Sequence, residues 1–220
     1  MSKRHEYGSN FYNLTLRKIL KNELLSFFGR MLSKKNVSPK EMYLQLGCGE
    51  SDVKKNFINA DFFTLDFFNP FKKKKIYFLD LRYPLPFKDD SFFGIFSEHT
   101  LEHLYTSETN KLFKEAYRVL KSGCIFRIVV PDLEKYIKYY NYKKISLRKN
   151  YKFGCEAIWD LTQNFSHRSV WDSEWLIYQL EKNGFTHCRK LDYRVSQNKD
   201  LILDKEGRQN ESIYIEGTKP

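Results

Sequence analysis

The chain has no apolar run approaching the roughly 18 residues that cross a bilayer, and no signal-type apolar core near its amino end. A spanning helix is thereby excluded, and a cytoplasmic location is the expectation. Its four cysteines, Cys48, Cys124, Cys155 and Cys188, lie far apart with no C-x-x-C pair. That spacing fits reduced thiols rather than a disulfide frame or a zinc cage, and no metal site is expected. No Gly-Lys-[Ser/Thr] follows a glycine turn, which excludes a P-loop. Internal repeats and low-complexity tracts are missing as well.

What remains is a chain of 220 residues, enough for one large domain with a substantial core. Hydrophobic content is an ordinary 41%, whereas aromatics reach a high 17%. The net charge of +11 raises nucleic acid as a partner. Against that, lysines outnumber arginines 27 to 11, alongside abundant Phe, Tyr, Asn and Ile, a bias that an AT-rich genome also produces. Residues 1–40 hold nine basic and two acidic side chains, so +7 of the charge sits there and only +4 on the other 180 residues.

Within that basic segment, residues 11–35 read as a helix. Leu16, Ile19, Leu20, Leu24, Phe27, Phe28 and Met31 recur at helical spacing, while Arg17, Lys18, Lys21, Arg30 and Lys34 face elsewhere. The apolar stripe is expected to pack on the domain with the basic face in solvent; a helix docked on an anionic membrane or a partner is the alternative. Asn36–Lys40 ends it, leaving residues 1–40 as a helical extension and 41–220 as the main domain.

That domain alternates short strand-like runs with helical ones. Tyr43–Leu46, Phe57–Ala60, Ile76–Leu79, Phe92–Phe96 and Cys124–Val130 read as strands, followed by Phe185–Tyr193 and Ser212–Glu216. Thr106–Lys121 reads as a helix capped by Ser107 and stopped by Gly123. Trp171–Asn183 reads as another, closed by Gly184, and Lys72–Lys75 as a solvated loop. Such alternation predicts an α/β fold with a mostly parallel sheet and helices on its faces.

Ligands of such sheets bind beyond the carboxyl ends of the strands, and those ends carry the chemistry here. The first ends at Gly47-Cys48-Gly49, the second at Asp61, the third at Asp80-Leu81 and the fourth at Ser97-Glu98-His99. Bare backbone at a Gly-x-Gly turn lets a ligand approach, though a tight strand-to-loop turn reads the same way. A dinucleotide site fits poorly: the third glycine of G-x-G-x-x-G is missing, and Asp61 comes fourteen positions after Gly47 rather than about twenty. Two aspartates at successive strand ends suit a nucleoside, with Asp61 accepting ribose hydroxyls and Asp80 meeting an exocyclic amine beside Leu81.

Taken together, LQLGCG (44–49), FINAD (57–61), FLDLRYPLPFKDDSF (78–92), SEHTLEHL (97–104), KEAYRVLKSGCIFRIVVPDLE (114–134) and RQNESIYIE (208–216) resemble class I S-adenosylmethionine-dependent methyltransferases. Within that superfamily the chain is similar to a small bacterial group often found with polysaccharide-assembly genes. The resemblance implies a Rossmann-like seven-stranded sheet with its last strand antiparallel, and S-adenosylmethionine as cofactor. It places Gly47, Cys48 and Gly49 at the methionine moiety and Asp61 at the ribose. Asp80 and Leu81 then frame the adenine, and Ser97 and Glu98 edge the sulfonium. The sequence departs from the family where Gln45 replaces the usual acid before the first glycine, and where Lys121-Ser-Gly-Cys124 replaces Lys-Pro-Gly-Gly.

His99-Thr-Leu-Glu102-His103 also matches H-x-x-E-H, an inverted zinc-peptidase pattern. The methyltransferase resemblance already explains its LEHL, and no later helix offers an obvious third ligand. For methyl transfer to a hydroxyl, a base is useful; His103, His99, His167 and Glu98 are the candidates, His103 foremost. Residues 132–171, dense in Tyr, Phe, Trp and Lys, are expected to face the acceptor. The Asn/Asp-Pro-Pro-aromatic motif of enzymes that methylate DNA-base amines is missing after the fourth strand. The expectation is therefore methylation of an acceptor hydroxyl on a sugar or glycan intermediate. The alternatives are a nucleic-acid methyltransferase and a non-catalytic cofactor-binding partner protein.

Overall fold

The computed structural model describes residues 16–32, 42–49, 54–62, 76–142 and 146–220. The outer ends of the predicted amino-terminal helix, its Asn36–Lys40 terminator, the stretch Glu50–Asp52 and the Lys72–Lys75 loop lie outside them. The seven strands are β1 (Tyr43–Leu46), β2 (Phe57–Asp61), β3 (Tyr77–Phe78), β4 (Phe92–Glu98), β5 (Leu120–Pro131), β6 (Thr186–Leu191) and β7 (Ser212–Thr218). They form one sheet in the order β3-β2-β1-β4-β5-β7-β6. The first five are parallel, and β7 runs antiparallel to both of its neighbours. This is the Rossmann-like sheet expected from the sequence. Every residue of β1 is buried, as helices or loops on both faces of a parallel sheet require, so its strands read as largely apolar runs.

The helices are α1 (Leu16–Leu32), α2 (Thr106–Val119), α3 (Leu133–Tyr142), α4 (Gly154–Gln163) and α5 (Ser173–Lys182). Helix α2 buries Leu112, Phe113, Ala116 and Val119 against the sheet. Ser107 is not its cap. The cap is Tyr105, whose N–H donates to the Glu108 carboxylate at 2.8 Å, so the acid three residues on satisfies the orphan donor. Nor does Gly123 end α2: the helix passes directly into β5 at Leu120, which pairs with Phe92, and Gly123 sits inside that strand. Helix α5 behaves as expected, with the Asp172 carboxylate accepting from the Trp175 N–H at 2.7 Å and Gly184 following at φ +94°.

One feature departs from expectation. Helix α1 packs with the opposite face: Ser26 and Gly29 are buried, while Leu20, Leu24, Phe27, Phe28 and Met31 are more than half exposed. The contact is steric and polar. A Cβ at Gly29 would lie 2.3 Å from the Phe78 ring, and Ser26 Oγ donates to Asp80 at 2.6 Å. Residues 132–171, expected to face the acceptor, carry two further helices. They fold as α3 and α4 around their own core of Tyr136, Tyr139, Leu147, Tyr151, Ala157 and Leu161.

The sheet also buries an ion. Arg127, at the middle of β5 with no exposed surface, donates to Asp204 at 3.0 Å, to Glu216 at 3.0 Å and to the Val195 carbonyl at 2.8 Å. Removing it strands two buried carboxylates, a loss of about 3–5 kcal/mol. Arg127→Met is expected to lower Tm by roughly 10 °C in a domain of this size. A thermal scan showing an unchanged Tm would contradict this.

Candidate functional site

The strand order reverses between β1 and β4, so the turns that follow these two strands flank the crevice typical of such sheets. After β1, Gly47 and Gly49 adopt φ +64° and +62°. A Cβ at Gly47 would lie 2.0 Å from Thr100 Oγ1 in the neighbouring turn, whereas one at Gly49 would meet nothing within 4 Å. The first glycine is thus needed for turn-to-turn packing and the second leaves open space. The Cys48 N–H donates to the Ala60 carbonyl at 3.1 Å, and the Gly49 N–H donates to Asp61 Oδ2 at 2.9 Å. These bonds tie the glycine turn to the end of β2.

A cleft of about 670 Å³ opens here, a size that suits a nucleoside-sized ligand with an acceptor beside it. One end is lined by Asp61, Phe62, Leu79, Asp80 and Leu81, the other by His103, Thr162, Phe165 and His167, with Gly47, His99 and Thr100 between them. Of the residues singled out from the sequence, Gly47, Asp61, Asp80, Leu81, His99, His103 and His167 therefore share one cavity. Cys48 is buried. Ser97 is fully buried, and among the described residues its Oγ has no hydrogen-bond partner.

Glu98 does not line the cleft. Its carboxylate accepts the Lys205 N–H at 2.9 Å and lies 3.9 Å from Arg208. Burial raises its pKa, and those cations moderate the rise. Asp80 lines the cleft with its oxygens engaged. Arg82 donates to both of them, Nη2 at 2.7 Å and Nε at 2.9 Å, and Ser26 adds its hydroxyl. Burial pushes the Asp80 pKa up, but these bonds outweigh it and the net shift is downward. The amine contact expected of Asp80 meets a carboxylate already saturated by donors.

The H-x-x-E-H segment is a bend followed by a 3-10 turn at Leu101–His103, so the helical spacing that a zinc peptidase needs is not formed. His99, at φ +49°, pairs its Nε2 with Ser212 Oγ at 2.7 Å. Burial, then Arg208, holds its pKa well below the ordinary value. The chain beyond α4 is fastened to this turn: the Arg168 and Ser169 N–H groups donate to the Glu102 carbonyl at 2.7 and 3.2 Å. The preceding Phe165 and Ser166 sit at φ +54° and +64°, a left-handed pair that costs about 1–2 kcal/mol per residue. That strain delivers His167 to within 5.1 Å of His103, ring centroid to ring centroid.

Close to the two imidazoles lies a group that sequence reasoning passed over. Glu102 is buried, and among the described residues neither of its carboxylate oxygens has a hydrogen-bond partner, His99 Nδ1 lying 3.6 Å from Oε1. One ligand atom each from Glu102, His103 and His167 lie within 4.8 Å of one another. Burial pushes the Glu102 pKa up to about 8. Burial, then His167, holds His103 down to about 4.

Residues 44–128 match the family described as a methyltransferase domain. Among solved structures, an S-adenosylmethionine-dependent methyltransferase from Thermotoga maritima, described as a possible histamine N-methyltransferase, aligns with a TM-score of 0.54. The identity is 18%, over 97% of this chain and 98% of that one. One from Archaeoglobus fulgidus aligns at 0.51 with 16% identity, over 90% and 94%. Phosphoethanolamine N-methyltransferase 2 of Haemonchus contortus, solved with S-adenosyl-L-methionine, aligns at 0.51 with 16% identity, over 94% of this chain and 57% of that one. At these identities the likeness to the solved structures is one of fold. No curated protein matches the sequence.

The Glu102 shift has a measurable consequence in chelator-treated protein. In the fold this carboxyl keeps its proton to about pH 8, whereas the unfolded chain ionises near 4.3. Between those values the unfolded chain binds fewer protons, so this group's contribution to stability falls as pH rises. His103 acts oppositely and lower down: with its folded pKa at about 4, it makes stability rise with pH up to about 6.5. Above pH 6.5 only the Glu102 effect of this pair remains. Denaturant titration of Glu102→Gln is expected to show a shallower decline from pH 6.5 to 8, by roughly 2 kcal/mol; equal slopes would contradict the assignment.

Proposed function

We propose that this chain, a methyltransferase whose methyl donor is S-adenosylmethionine, methylates a hydroxyl of a sugar or glycan intermediate. The observation that carries the reading is the single cleft, with its aspartate and leucine end joined to its histidine end. The donor fits the first end. Open space over Gly49 suits a ligand chain pressed on bare backbone. Asp61, oriented by the Gly49 N–H, is suited to paired ribose hydroxyls. Leu79, Leu81 and Phe62 offer apolar walls to a base, with Asp80 acting through Arg82 and Ser26 to hold that wall in place.

S-adenosylmethionine supplies a methyl group already activated by sulfonium charge. The chain's task is therefore chiefly positioning. The acceptor oxygen forms the new C–O bond as the C–S bond breaks and its electron pair stays on sulfur, and the hydroxyl proton leaves at the His103 end. Burial depresses the pKa of both His103 and His167, so near neutrality each imidazole carries a lone pair toward that proton. Phe165, 46% exposed beside His167, offers a flat apolar face to a sugar ring. Thr162, Gln163 and Ser166 offer hydrogen bonds to its hydroxyls.

A further observation supports an acceptor carried at a membrane surface. No helix among the described residues is long and apolar enough to span a bilayer, but α1 leaves Leu20, Leu24, Phe27, Phe28 and Met31 exposed in the most basic part of the chain. That combination suits shallow docking on anionic lipid.

Four measurements follow. Asp61→Asn is expected to weaken S-adenosylhomocysteine binding about 10-fold or more in calorimetry, as the loss of a charge-assisted bond predicts; an unchanged Kd would contradict its role. His103→Ala is expected to cut turnover while leaving that Kd within twofold, and a lost Kd would make it structural. Incubated with labelled S-adenosylmethionine and fractionated glycans, lipids and RNA, the protein is expected to label a glycan-bearing fraction. Label confined to RNA, with affinity falling steeply in salt, would contradict the proposal. Flotation with phosphatidylglycerol vesicles, reduced by Phe27→Ser with Phe28→Ser, tests the membrane arm. Wild-type protein that stays at the bottom of the gradient counts against it.

A further inference from the structure

We propose that Glu102, His103 and His167 form a site for a first-row divalent cation, open toward the acceptor end of the cleft. The sequence suggested no metal, and the only spacing it offered, His99 with His103, is not the set the fold assembles. Instead the strained turn at Phe165–Ser166 brings in a residue more than sixty positions downstream.

The first argument is the unpartnered acid. Glu102 is 1% exposed, and among the described residues it is the carboxylate with both oxygens buried and without a hydrogen bond; His99 Nδ1 lies 3.6 Å from Oε1, beyond hydrogen-bond reach. The chain's other deeply buried acids have donors: Asp204 and Glu216 have Arg127, and Asp80 has Arg82. A buried carboxyl with no partner is unfavourable whether charged or neutral. A cation held by its oxygens removes that penalty.

The second argument is the tautomer. His167 Nδ1–H donates to the Leu161 carbonyl at 2.6 Å. This leaves Nε2 as the lone-pair nitrogen, in the outer-shell arrangement that orients metal-bound imidazoles.

The third is the donor count. Two imidazoles and one carboxylate leave coordination positions vacant, as catalytic sites do and structural sites do not. The three ligand atoms lie within 4.8 Å of one another, while bonds of about 2.0–2.2 Å require separations near 3–3.5 Å. Loading therefore draws the set inward by about 1 Å. With the cation bound, both imidazole lone pairs would serve as ligands rather than as the base; the acceptor hydroxyl would bind the cation through oxygen, which would lower its pKa, and its proton would leave to solvent. This last step rests on the methyltransferase reading; the cation site does not.

The test uses full-length protein stripped with a chelator and titrated separately with Mn²⁺, Zn²⁺ and Co²⁺, with S-adenosylhomocysteine binding measured in parallel. One equivalent of at least one cation is expected, with Co²⁺ giving visible bands of a nitrogen–oxygen site. Glu102→Gln and His167→Gln are each expected to weaken that cation at least 10-fold while the S-adenosylhomocysteine Kd stays within twofold. Should either variant fail to fold, the other carries the comparison. Wild-type protein that binds none of the three, or variants that bind as tightly as wild type, overturns the site. Cation binding without S-adenosylhomocysteine binding would uphold the site and overturn the donor assignment instead.

Discussion

The cleft depends on how closely the turn after β1 lies on the turn after β4. Thr100 Oγ1 donates toward both the Leu46 and the Glu98 carbonyls, at 3.3 and 3.2 Å, from a position that only a glycine at 47 leaves free. That contact joins the two halves of the parallel sheet at the point where their order reverses. On one side it sets the path from Gly49 to Asp61. On the other it starts the bend that carries His99, Glu102 and His103. The Asp61 and Asp80 end and the histidine end of the cleft are therefore positioned by the same pair of turns, and the distance between them is a property of the sheet.

Helix α1 adds an element that the sheet alone does not supply. Its buried face is short in apolar groups, yet it reaches the pocket: Ser26 bonds Asp80, Glu23 pairs with Arg82 at 2.6 Å, and Arg30 stacks 3.6 Å above the Tyr83 ring. The segment that carries most of the chain's charge is thus physically linked to the Asp80 end of the cleft. An amphipathic helix normally hides its apolar stripe. Here close packing of Gly29 on Phe78 and the Asp80 network favour the small, polar face, and the stripe stays in solvent.

Much of this architecture was legible from sequence because parallel strands advertise themselves. β1, β2, β4 and β5 are apolar runs that end at glycine, acid or proline, and the acid and glycine endings are where ligand chemistry sits. Helices α3 and α4 were not legible. Their core is built from tyrosines, whose hydroxyls find partners inside it, as Tyr139 does with the Tyr151 carbonyl at 2.6 Å, so lysine and tyrosine masked the periodicity. The site was partly readable. Ser97 and Glu98 are adjacent on a strand and must point to opposite faces, which already argues against both edging one sulfur; Glu98 indeed turns to Lys205. Glu102 carried no such sign, because nothing in a polar H-x-x-E-H motif says which member will be buried.

The account's central claim is that one cleft holds the methyl donor across these strand ends with its reactive carbon at the histidine end. A crystal structure with S-adenosylhomocysteine tests it most directly. The account predicts the base between Leu79 and Leu81, the ribose on Asp61, the amino-acid tail over Gly49 and the sulfur directed toward His103. A ligand lodged elsewhere, or one whose sulfur faces away from His103 and His167, would contradict it.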